Sequence, residues 1–135
     1  MAESLSPGLQ KLLGEPAFAQ IATLMPDGSP QLTQVWVSTD GANILVNTYE
    51  GAQKLHNIRR DPRVALNVVD PGNAWRVANV RGRVVDVTTE GADEHIDAMA
   101  RKYLGVESYP YRRPGQPRVK VTIAPEDINE IGLVD

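Results

Sequence analysis

The chain contains no cysteine, so it has no disulfide framework and no thiolate metal site. Histidines at metal-ligand spacing are missing too, because His56 and His95 stand far apart. No GxGxxG fingerprint, phosphate-binding P-loop or GxSxG elbow occurs, which sets aside the common dinucleotide, nucleotide and serine-hydrolase sites. No apolar run approaches the roughly 20 residues that span a bilayer. The opening segment 1–18 has no apolar core of signal-peptide length. The expectation is a cytoplasmic protein with no membrane partner. Charge of one sign is not in excess. The net charge of −3 gives no electrostatic reason to expect nucleic acid. Aromatics are scarce, with one Phe, two Trp and four Tyr, so each Trp and Tyr has to be accounted for individually.

What remains is a chain of 135 residues, long enough for one domain (1–135) with one core. Its apolar residues are mostly Val, Ala, Ile and Leu, a composition that suits sheets. Ser6 and Pro7 open a short helix over about 6–14, with Leu9, Leu12 and Leu13 at helical spacing and Gly14 as its stop. "AFAQIATLM" and "PQLTQVWVST" flank an Asp-Gly turn. "ILVNT" follows a second such turn and completes a meander. A helix over 52–60 stops before Pro62. "RVALNVV" and the long "AWRVANVRGRVVDVT" are further strands, and Gly82 marks a bulge or bend in the second. Residues 91–104 read as a helix with Ile96, Met99, Ala100 and Tyr103 on one side. A Pro/Tyr/Arg loop leads to "RVKVTIA", the sixth strand, and "PEDINEIGLVD" reads as a short turn or helix. Six strands at spacings too short for βαβ crossovers predict a mainly β fold, a six-stranded antiparallel barrel.

Four stretches could carry chemistry. In "TYEGAQKLHNIRRDP" a strand ends at Thr48, turns at Gly51 and enters a helix with Lys54 in its first turn. That end of a helix is already positive, so Lys54 there either waits for an anion or is a solvated helix residue; spacing alone leaves both open. In "TQVWV" Gln34 and Trp36 share one face, either a platform for a planar ring or a surface Gln beside a packed Trp. In "NAWRVANVRG" Trp75 and Arg76 stand on opposite faces of a strand with polar residues on both sides. The loop "YPYRRPGQPR" adds Tyr109, Tyr111, Arg112 and Arg113. No metal ligands and no acid–base pair stand out, so any hard chemistry would belong to a bound cofactor.

The order and spacing of "AQIATLMPDGSPQLTQVWV", "ILVNTYEGAQKLHNIRRDPRVALNV", "AWRVANVRGRV" and "HIDAMARKYLG" resemble the split β-barrel flavin and deazaflavin oxidoreductases. These form the pyridoxamine 5′-phosphate oxidase-like superfamily, and the chain is most similar to its actinobacterial branch that uses coenzyme F420. The resemblance implies an FMN-binding split-barrel fold and a homodimer with cofactor sites at the interface. It also implies a reductase that passes hydride from F420H2 to a small unsaturated organic substrate. Carried over by position, Lys54 matches the phosphate-binding lysine. Asn47 and Thr48 match the strand end that meets the phosphodiester arm. Gln34, Val35 and Trp36 match the strand along the ring, while Trp75 and Arg76 match a pair reaching in from the other subunit. The resemblance leaves the catalytic residues unassigned, with Tyr109 or Tyr111 as candidate proton donors. "LTQVWV" has neither the Arg nor the Lys that flavin mononucleotide (FMN) enzymes carry near this strand, and Ala52 stands where relatives are often basic. Both departures count against FMN, which stays the alternative cofactor. Arg59, Arg60, Arg112 or Arg113 would meet the acidic tail of F420. A non-catalytic carrier of F420, or of another ligand such as haem, is the further alternative.

Overall fold

The structure is a computed structural model that describes residues 3–133. Its elements are α1 (Pro7–Leu13), β1 (Phe18–Leu24), β2 (Pro30–Val35), β3 (Val37–Thr39), β4 (Ile44–Tyr49), α2 (Gln53–Arg60), β5 (Arg63–Asp70), β6 (Asn73–Thr88), α3 (Ala92–Leu104) and β7 (Arg118–Ile131). All strand pairs are antiparallel, in the order β2-β1-β5-β6-β7-β4-β3. The two strands at the ends of that order are consecutive in the chain and are separated only by Trp36. The sheet therefore has to curl until its ends meet at this residue, which gives a split barrel. Closure of this kind hides strand edges that would otherwise template aggregation.

The interior is β-branched and aliphatic, as the composition implies. Ile21, Val37, Ile44, Val46, Val68 and Ile123 are all fully buried. α1 presents Leu9, Leu12 and Leu13 to this core. Its first turn is capped by Ser6, whose Oγ accepts a hydrogen bond from the Leu9 N–H at 3.0 Å. α2 buries Leu55 and Ile58, together with Asn57, which is fully inaccessible. The Asn57 amide donates to Thr23 Oγ1 at 3.0 Å and its oxygen accepts from Gln53 Nε2 at 2.9 Å. A buried carboxamide with its partners satisfied costs little and ties α2 to β1.

Two expectations change. The run "PQLTQVWVST" is two strands rather than one, so the barrel has seven strands, not six. The segment expected to close as a turn or helix instead prolongs β7 to Ile131, paired with Val77. Without this extension, the first half of β6 would present an unpaired edge. The bulge at Gly82 is present: the register shifts between Arg81 and Gly82, and Pro125 sits opposite. A proline has no N–H to lose from a ladder that is already interrupted.

The outer face of β2, β1, β5, β6 and β7 carries an ordered pattern. Gln34, Gln20, Asn67, Asn79 and Asn129 stand in register across the five strands. Within that row the Asn67 amide donates to Asn79 Oδ1 at 2.8 Å. The neighbouring row is apolar, with Phe18, Val69, Val77 and Ile131.

A Cβ placed on Gly82 would lie 2.6 Å from the Ala124 carbonyl oxygen, so strand separation or backbone movement must follow. Gly82→Ala is expected to destabilise the fold by about 1–3 kcal/mol, read from urea unfolding midpoints. An unchanged midpoint would show that the bulge tolerates a side chain.

Candidate functional site

The turn between β4 and α2 is shaped by Gly51, whose φ of +99° lies in the region that only glycine enters easily. It brings the first turn of α2, with Lys54, next to the end of β4. β7 runs alongside β4 and places Arg118 opposite Tyr49. On the other side of this corner the barrel seam presents Gln34, Val35 and Trp36, and α3 presents Ile96, Met99 and Tyr103. Together these elements enclose a cavity of about 580 Å³, within the range of small-molecule sites.

The cavity has two chemically different sets of walls. One is aromatic. Tyr103 stacks on Trp36 with centroids 5.1 Å apart and planes 8° from parallel. Tyr109 meets Trp36 edge-on at 6.0 Å, and Tyr111 meets Tyr109 at 5.6 Å. The Tyr103 hydroxyl is committed, donating to the Ala17 carbonyl at 2.7 Å and accepting from the Val37 N–H at 3.2 Å. Lys102, the residue before it, donates to the carbonyls of Leu13 and Val37, and burial pushes its pKa down to about 8. The loop bearing Tyr109 and Tyr111 is fastened to α3 by Asp97, which accepts from the Tyr109 N–H at 2.8 Å and from Arg112 at 2.6 Å.

The other wall is cationic. Lys54 and Arg118 both line the cavity. Neither is among the ion pairs formed by the described residues. Burial lowers the pKa of Lys54, and the nearby Arg118 charge lowers it further. Burial likewise lowers that of Arg118, whose guanidinium lies 4.8 Å from the Tyr109 ring centre. Two partly desolvated cations without a carboxylate favour an incoming anion. Thr48 lines the same wall and is 3% exposed.

Eight of the residues singled out in the sequence therefore meet in one cavity: Gln34, Val35, Trp36, Asn47, Thr48, Lys54, Tyr109 and Tyr111. Trp75 and Arg76 do not line it. Trp75 is 75% exposed, and Arg76 pairs with Asp70 and, at 3.7 Å, with Glu15. Three of the four arginines expected at an acidic tail have internal partners. Arg59 pairs with Glu50 at 2.7 Å, Arg112 with Asp97 at 2.6 Å, and Arg60 donates to the Leu24 carbonyl. Arg118 and His95 escaped sequence reading. Arg118 looks like an ordinary strand start, and His95 faces Asn47 and Ser38 only after folding, with Asn47 Nδ2 at 3.1 Å and Ser38 Oγ at 2.8 Å. Among the described residues no cluster of His, Cys, Asp or Glu could hold a metal ion. No described helix is long and apolar enough to cross a membrane.

A family model for pyridoxamine 5′-phosphate oxidase matches residues 5–132. The chain belongs to this family. Solved structures agree on the barrel. One, an F420 reductase, is 30% identical, with 93% of this chain and 98% of that one covered and a TM-score of 0.80. A conserved hypothetical protein from Mycobacterium tuberculosis is 23% identical over 98% of this chain and 87% of its own, with a TM-score of 0.71. A putative pyridoxamine 5′-phosphate oxidase from Listeria innocua is 15% identical over 89% and 92%, with a TM-score of 0.65. The last two speak for the fold alone. The family is one of flavin-type oxidoreductases.

Burial pushes the His95 pKa down from 6.5 to about 4, and the charges of Lys120, Lys102 and Arg118 push the same way. Between these values the unfolded chain takes up a proton that the folded chain refuses, so stability falls as pH drops from 6.5 towards 4. Above 6.5 the residue is neutral in both states and contributes no slope. Denaturant titrations across this window should show the decline in the wild type and a shallower one in His95→Gln. Equal slopes would mean that His95 titrates normally.

Proposed function

We propose that the protein is an F420H2-dependent oxidoreductase that exchanges hydride with a small unsaturated organic substrate. The observation that carries this reading is the union in one cavity of an uncompensated cation pair, Lys54 and Arg118, and a stacked aromatic wall built on Trp36 and Tyr103. A ligand with a flat ring and a phosphate on its arm matches both. The 30% identity to an F420 reductase over 93% of the chain favours the deazaflavin. The absence of Arg and Lys from "LTQVWV" weighs against FMN.

In this reading Lys54 and Arg118 hold the phosphate, with Thr48 adding a hydroxyl donor. Gln34, Val35 and Trp36 border the ring. When bound, the deazaflavin supplies hydride exchange, chemistry that side chains lack. The protein contributes orientation and a wall that keeps water out. Tyr103 has its hydroxyl proton committed to Ala17, so proton delivery falls to Tyr109 or Tyr111 at the cavity.

The same reading makes the protein a homodimer. The amide row of Gln34, Gln20, Asn67, Asn79 and Asn129 offers donors and acceptors together, which suits pairing with a second copy of itself. Phe18 and Gln34 belong both to this outer face and to the cavity. A second copy on this face would border the cavity, where its exposed Trp75 and its Arg76 could complete the site.

Fluorescence titration should give tighter binding of F420 than of FMN. Lys54→Ala and Arg118→Ala should each weaken F420 binding by about ten- to a hundredfold, the range for one charge-assisted contact. A preference for FMN, or a yellow protein as purified, would overturn the cofactor assignment. F420 binding without turnover on any acceptor would leave a carrier.

Sedimentation should find a dimer, and Asn79→Arg should shift it to monomer and weaken F420 binding. A wild-type monomer would overturn the interface.

A further inference from the structure

Arg118 is held from behind by a chain of hydrogen bonds that spans four elements. Its Nε–H donates to Asn47 Oδ1 at 2.9 Å. The Asn47 amide donates in turn to the Ala92 carbonyl at 3.0 Å and to His95 Nδ1 at 3.1 Å. His95 Nε2 lies 2.8 Å from Ser38 Oγ.

The protons in this chain can be assigned. Arg118 can only donate, so Asn47 must turn its oxygen towards it. Both amide hydrogens of Asn47 then point backwards and need acceptors. Ala92 offers a carbonyl. His95 offers an acceptor only if Nδ1 is bare, which places its proton on Nε2, donating to Ser38. A protonated His95 would set N–H against N–H and favour a flipped carboxamide, with its NH2 facing the guanidinium. The charged groups facing His95, Lys102 from α3 and Lys120 and Arg118 from β7, are all cationic and oppose that protonation. With Nε occupied by Asn47, the Nη side of the Arg118 guanidinium, which no carboxylate of the described residues pairs, is left to meet an anion in the cavity.

We infer that His95 is a positioning residue: its bare Nδ1 orients the Asn47 carboxamide, which aims Arg118 at the anion-binding end of the cavity. The inference rests on the proposed anion site and adds a residue that never touches the ligand.

The test combines tautomer spectroscopy with two variants. Long-range 1H–15N spectra of the wild-type protein at neutral pH should show a neutral His95 with the proton on Nε2; a proton on Nδ1 would overturn the inference without any substitution. His95→Leu removes the acceptor, whereas His95→Gln keeps one. In His95→Leu the Arg118 Nε–H resonance should shift, and binding of inorganic phosphate and of F420 should weaken roughly tenfold, the order expected for one buried hydrogen bond. His95→Gln should recover most of the loss. If Arg118→Ala binds weakly but both His95 variants bind like the wild type, the anion site stands and the positioning role falls. If Arg118→Ala binds both probes like the wild type, the anion site itself falls and the inference goes with it.

Discussion

The structure depends on the passage of one run of chain, residues 30–39, from one end of the sheet to the other. β2 and β3 belong to opposite ends of the strand order, yet only Trp36 separates them. Their continuity forces the sheet to close. It also puts a large aromatic side chain at the seam, where the regular ladder is interrupted and a ring can face outward from the barrel. Tyr103 from α3 covers that ring in parallel, and its hydroxyl is bonded to Ala17, just before β1, and to Val37 on β3. Closure of the barrel and construction of the aromatic wall are thus one event.

Cation placement follows a different logic. Most arginines of the chain are neutralised locally: Arg59 by Glu50, Arg63 by Asp61, Arg81 by Asp127 and Arg112 by Asp97. Such exposed pairs add little stability. They do remove competing cations from the surface. Lys54 and Arg118 are partly buried, form none of the ion pairs of the described residues, and share a cavity. Among the described residues acidic side chains pair with surface arginines and not with these two, so their positive charge stays in the cavity. This is the electrostatic condition for selective anion capture in a chain of net negative charge.

Much of the architecture was legible in the sequence. The Asp-Gly turns, the Gly82 bulge and the helix faces at Leu9/Leu12/Leu13 and Ile96/Met99/Ala100 are local patterns, and local patterns survive folding because they rest on backbone sterics and side-chain period. Two elements were misread for the same reason. The break at Trp36 and the extension of β7 to Ile131 answer to partners far away in the chain, the closing edges and the long β6. The site shows the same division. Lys54, Thr48 and Gly51 could be noticed because a cation in a helix's first turn is locally unfavourable. Arg118 and His95 carried no such local anomaly.

The sequence by itself determined the class of fold and some of the groups available for chemistry: a β-branched core, no cysteine thiolate, and one lysine in the first turn of a helix. Which residues stand together was decided only by the tertiary structure. Trp36, Tyr103 and Tyr109 become one wall, and Ser38, His95, Asn47 and Arg118 become one chain of hydrogen bonds, through contacts between residues as much as 73 positions apart. Periodicity reports which face of an element is buried; it carries no record of what the face will meet. That information lies in the curvature and register of the closed sheet.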